Sequence, residues 1–283
     1  KAFGNHVAFL AIWLQWINTV VWYPTILSFI AATIAYLINP KLANDKIFLV
    51  SVILFSFWIL TLLNLKGLKT SAKFASFCAI FGMILPMIII IGLGITWYLT
   101  HTNLEIPLTL DAMIPKFHQS QSWISLTAII TAFLGIELAA VHVNQIENPK
   151  KTYPFAVIIS SIIIILTMLL GSLAIAVVIP QKQISLVSGV VEAFSAYLKH
   201  FSLQVFLPVV VIMILIGSFG GIVNWIISPA KGLLQASDDG YFPKYFDKTN
   251  RNDVPVSILI GQALLVSIIC FAFLLMPSVN GSY

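Results

Sequence analysis

The sequence predicts an all-α polytopic membrane protein with about seven transmembrane helices. Three observations carry this. Of 283 residues, 59% are hydrophobic and only 9% charged, with a mean hydropathy of +1.00. The apolar residues come in continuous runs rather than in alternation, which argues against a β-barrel. Several runs also reach the roughly 20 residues that a helix needs to cross a hydrocarbon core.

Seven spans can be drawn, at 6–38, 47–65, 74–99, 122–146, 153–180, 204–230 and 254–277, forming one transmembrane domain over 1–283. The first exceeds one untilted crossing and carries Pro24, so a tilt or kink is expected. Its Trp13, Trp16 and Trp22 read either as interfacial belt and packing residues or as one wall of a cavity.

The net charge of +5 raises nucleic acid or acidic partners, but the lysines sit between spans, where they set topology. The expected partner is the lipid bilayer, not nucleic acid. Connectors after spans 2, 4 and 6, with Lys1, hold ten of the 15 Lys and Arg residues; the other connectors hold five. The positive-inside rule therefore places the first residue in the cytoplasm of a multi-pass cell (inner) membrane protein. The chain begins with Lys1 and shows no signal peptide, which reads as an internal fragment of a longer protein. Cys78 and Cys270 are isolated within spans and imply neither a disulfide framework nor a metal site.

Within the connectors, residues 184–198 place Val187, Val190, Val191, Phe194 and Leu198 near helical spacing, the pattern of a short amphipathic helix. The segment DDGYFPKYFDKTNRNDVP has turn signals and reads as an ordered loop.

The fourth span carries the sharpest functional signal. Its apolar run contains Glu137, whereas the other acids lie in loops, near span ends or in connectors. A carboxylate at membrane depth faces a cavity or a partner. Gly135, two residues earlier, admits backbone conformations that other residues avoid. A helix broken at mid-membrane exposes donors and acceptors suited to zwitterionic ligands and ions. The bland alternative is a protonated glutamic acid bonded to a neighbouring helix. His142, nearer the end of this span, is a candidate pH sensor or a structural histidine. In the sixth span, Gly217 and Gly221 are four apart, which favours close helix packing. Trp225 follows, as a stacking or gating residue or as packing. The sequence has no GxSxG elbow, HExxH site, Walker loop or paired intramembrane aspartates, so no enzyme, cofactor or metal is expected.

Four stretches carry a family likeness: FLGIELAAVHVNQIENPKKTYP (133–154), VIPQKQISLVSGVVEAF (178–194), NWIISPAKG (224–232) and DDGYFPKYFDKTNRNDVPV (238–256). The chain resembles the amino acid–polyamine–organocation (APC) transporters and, through HVN and the VIP…ISL…GV…F loop, their bacterial glutamate/γ-aminobutyrate antiporter branch. The resemblance implies a twelve-helix fold of two inverted five-helix repeats, of which this chain covers about spans three to nine. It also implies that Thr131, Ala132, Phe133, Leu134, Gly135, Ile136 and Glu137 line an amino-acid substrate, with Glu137 gating or coupling. Trp225 matches a substrate-stacking or gating position, and Thr19 and Trp22 match positions that approach substrate. An acid of the antiporter branch is replaced here by Gly221, a departure that leaves the substrate open.

The expected function is amino-acid antiport by alternating access, with a place in acid resistance if the branch holds. The alternatives are an ion-coupled symporter of the same fold, or a non-transporting receptor or channel subunit. No motif speaks to oligomeric state.

Overall fold

The computed structural model describes residues 4–100, 105–106, 120–131, 133–180 and 189–274. Among these the chain is helical, with no β-strand and one isolated antiparallel bridge, Thr249 to Pro255. Five helices are long and apolar enough to cross a membrane: Asn5–Ile38, Lys46–Asn64, Leu68–Thr100, Pro149–Ala176 and Gln204–Asp238. A shorter apolar helix covers Val256–Ala272. The polytopic α-helical class expected from hydropathy is thus what the backbone adopts.

The chain divides into two compact units. The first comprises 1–84 and 211–283. It contains α1 (Asn5–Ile38), α2 (Lys46–Asn64), α3 (Leu68–Ala79), a π turn (Ile80–Ile84), most of α8 (Leu207–Asp238) and α9 (Val256–Leu274). Helix α1 continues through Pro24 as one α-helical element. Helix α2 starts at Asp45, whose carboxylate accepts from the N–H groups of Ile47 and Phe48 at 2.9 and 3.2 Å. That is an N-cap, satisfying donors the first turn cannot.

The buried seams of this unit have helical spacing. They are Val20, Tyr23, Leu27 and Ile30 on α1, Leu49, Ile53, Phe57 and Leu60 on α2, Ile222, Ile226, Ala230 and Leu233 on α8, and Leu259, Ala263, Val266 and Cys270 on α9. Lipid is as apolar as these side chains, so close packing rather than the hydrophobic effect selects the seam. The tightest approach is backbone to backbone: a Cβ on Gly82 would overlap the peptide of Gly217, and one on Gly217 would overlap Gly82. A Cβ on Gly220 would overlap the Cys78 side chain, whereas one on Gly221 would meet nothing within 4 Å among the described residues. Among the described residues the close-packing glycines of α8 are therefore Gly217 and Gly220, without the Gly221 expected from the spacing of four.

At one end of this unit the connector from α8 to α9 is pinned by side-chain amides. Asn250 donates to the Leu65 carbonyl at 2.8 Å, and Asn252 to the same carbonyl at 3.3 Å. Asn250 Oδ1 also accepts from the N–H groups of Asn252 and Val254 at 2.9 and 3.2 Å. Tyr241 stacks on Phe9 with centroids 4.6 Å apart and lies 3.2 Å from His6 Nδ1. The start of α1, the α2–α3 turn and this connector thus share one end of the unit.

The second unit, 85–210, contains α4 (Leu85–Thr100), α5 (Ser120–Thr131), a 3₁₀ segment (Ile136–Gln145), α6 (Pro149–Ala176) and α7 (Gly189–His200). Helices α4 and α6 approach through Gly94, where a Cβ would come 2.7 Å from Ala174 Cβ. Helix α7 buries Val191, Phe194, Tyr197 and Leu198 and carries the described part of the 184–198 amphipathic pattern; Val190 is exposed, and residues 184–188, with Val187, lie outside the described residues. Tyr197 donates its phenol to the Ala174 carbonyl, one of the last carbonyls of α6 that the helix itself leaves open. Burial pushes the Tyr197 phenol above its ordinary pKa.

Candidate functional site

The stretch read as the fourth span is not one helix. Helix α5 stops at Thr131, and Phe133 to Gly135 form a turn. Here Phe133 and Leu134 donate back only three residues, to Ile130 and Thr131, each at 3.1 Å. Gly135 sits at φ 105, ψ −18, in the left-handed region open to glycine. A ten-residue 3₁₀ segment then runs from Ile136 to Gln145. Such segments rarely exceed three or four residues, and long ones mark hinges or strained sequences. Glu137 folds back on the break, its Oε2 accepting from the Gly135 N–H at 2.8 Å. Glu137 is exposed, as are Thr131 and Leu134; Phe133, Gly135 and Ile136 are half-buried. Ala132 lies outside the described residues, as does the side chain of His142.

The remaining sequence-predicted residues belong to the first unit. Trp22 and Trp225 meet there, ring centroids 5.0 Å apart and planes at 37°. Thr19 is fully buried, its hydroxyl donating to the Gln15 carbonyl one turn back at 2.7 Å.

Behind the tryptophans lies a polar chain that the sequence did not single out. Trp16 Nε1 donates to Gln262 Oε1 at 2.8 Å, Gln262 Nε2 donates to the Tyr23 hydroxyl at 3.3 Å, and Tyr23 donates to the Trp225 carbonyl at 2.6 Å. The available signal was a glutamine within α9, whose other polar side chains are the two small serines Ser257 and Ser267. A cavity of about 310 Å³ opens beside this chain, walled by Trp13, Trp16, Phe242 and Phe246, with Gln262 as its polar group. Thr19, Trp22 and Trp225 do not line it.

Residues 1–283, the whole chain, match the family described as amino acid permease. The chain belongs to the amino acid permease family. The chain is 39% identical to an uncharacterised transporter of Legionella pneumophila, over 100% of this chain and 61% of that protein. It is 32% identical to a glutamate/γ-aminobutyrate antiporter of Lactococcus lactis, over 95% of this chain and 54% of the relative. A probable agmatine/putrescine antiporter of the same species is 27% identical over 95% of this chain and 56% of its own length. The chain thus spans between about half and three fifths of these relatives. The family and its transporter-named relatives agree with the APC resemblance, with a multi-pass membrane protein and with a role other than enzymatic catalysis.

Proposed function

We propose that the full-length protein is an amino-acid antiporter of the bacterial cell membrane, exchanging substrates of the glutamate/γ-aminobutyrate class by alternating access. The observation that carries this reading is the interrupted helix at 131–137. Its turn leaves backbone groups outside α-helical bonding, and it holds a carboxylate against the break. Unwound backbone of this kind is what transporters use to hold charged and zwitterionic groups. The antiporter relative at 32% identity supports the substrate class, and the polyamine-transporter relatives widen it to amines. In this reading residues 131–137 contact substrate, Glu137 gates or couples, and Trp225 with Trp22 stacks on substrate or closes over it. Residue 1 faces the cytoplasm.

Counterflow tests it. Liposomes holding the full-length protein and loaded with γ-aminobutyrate should take up labelled glutamate, and unloaded liposomes should not. Uptake that follows only a proton or sodium gradient would replace exchange with symport. Glu137→Ala should abolish exchange or uncouple it from pH; wild-type behaviour of this variant removes Glu137 from the mechanism.

A further inference from the structure

We propose that Gln262 is a positioning residue for Trp225, acting through Tyr23; the functional part of this rests on the role assigned above to Trp225. Helix α8 carries Pro229 in its interior. In helix α8 the N–H of residue 229 would close onto the carbonyl of residue 225, but proline has no N–H. The Trp225 carbonyl is therefore left open in the middle of an apolar bundle. Tyr23, wholly buried on α1, donates its hydroxyl to that carbonyl at 2.6 Å.

A carbonyl only accepts, so this bond fixes which way the Tyr23 proton points and leaves the phenol oxygen as an acceptor. Gln262, 1% exposed on α9, fills that need with its Nε2. Its Oε1 then faces the Trp16 indole N–H, a group that only donates. The orientation of the amide is thus set by its neighbours. A primary amide, with acceptor and donor on one planar group, suits both ends of this chain. The chain holds the backbone of α8 at the residue whose ring packs on Trp22 at 5.0 Å. Gln262 consequently acts on Trp225 by fixing the hydroxyl that replaces a missing helix bond.

The test uses full-length protein labelled with 5-fluorotryptophan, its Trp225 resonance assigned from Trp225→Phe, together with the KM and maximal rate of exchange. Gln262→Leu and Tyr23→Phe should each shift the Trp225 resonance. Each should also raise KM about threefold or more with a smaller change in maximal rate, Tyr23→Phe the more strongly. Pro229→Ala restores the missing N–H, so both effects should shrink in that background. A role in packing alone would not be rescued this way. Ser267→Ala, another polar position on α9, should leave resonance and KM unchanged.

An unmoved Trp225 resonance in Gln262→Leu and in Tyr23→Phe overturns the proposal, as does a shift that Pro229→Ala leaves at full size. If Gln262→Leu does not fold, Tyr23→Phe, which removes a single oxygen, is read by the same criteria. A rescued shift with unchanged KM upholds the positioning and instead removes Trp225 from substrate handling.

Discussion

Glu137 accepts a hydrogen bond of 2.8 Å from the backbone N–H of Gly135, two residues before it. The acid that breaks the apolar run is thereby attached to the glycine that breaks the helix. Glu137→Gln keeps an oxygen that can accept this bond and removes only the charge. Exchange in Glu137→Gln should therefore retain substrate affinity better than in Glu137→Ala. Counterflow at several pH values reads the difference; equal loss of affinity in both would mean that the Gly135 bond contributes nothing.

Gly135 itself sits at φ 105, where a Cβ is strained. Gly135→Ala should cost about 1–2 kcal/mol, the ordinary penalty for a side chain in left-handed backbone. Gly135→Asn should cost less, because asparagine tolerates this region better. Thermal unfolding in detergent should rank wild type above Asn and Asn above Ala.

The glycines of α8 should differ sharply. Gly217→Ala places a methyl into the Gly82 backbone, and the two helices must separate. Overpacking of this kind costs about 1–3 kcal/mol. Gly221→Ala meets no described residue within 4 Å and exchanges glycine for a better helix former, a gain of up to about 1 kcal/mol. Melting temperatures moving in opposite directions would bear this out.

Removing the Tyr197 hydroxyl orphans the Ala174 carbonyl at the end of α6. Tyr197→Phe should destabilise by about 1 kcal/mol, the usual net worth of such a bond. The loss is expected in thermal unfolding and in faster hydrogen exchange at the end of α6.

Asn250 holds the α8–α9 connector through three hydrogen bonds, to Leu65, Asn252 and Val254. Asn250→Ala should release the connector and speed tryptic cleavage at Lys244, Lys248 and Arg251. An unchanged digestion pattern would show that the aromatic contacts of Tyr241 suffice to hold it.

The sequence determined the class of this protein. Continuous apolar runs can satisfy their backbone in lipid only as helices, and the lysine-rich connectors sort by charge; both signals are local and additive. It also marked the break at 131–137, because a glycine and a carboxylate inside an apolar run are legible one residue at a time. Tertiary structure alone decided which marked residues pack together. Among the described residues Gly217 packs on Gly82 and Gly220 on Cys78, while Gly221 meets neither, since the crossing of two helices, not spacing along one, chooses the contact face. Thr19 turned inward to its own helix, while Tyr23, four residues later, reached across to Trp225. Gln262, 239 positions from Tyr23, completed that bond. A hydrogen-bond donor is assigned by where a missing N–H leaves a carbonyl open in space, and only the packed bundle contains that information.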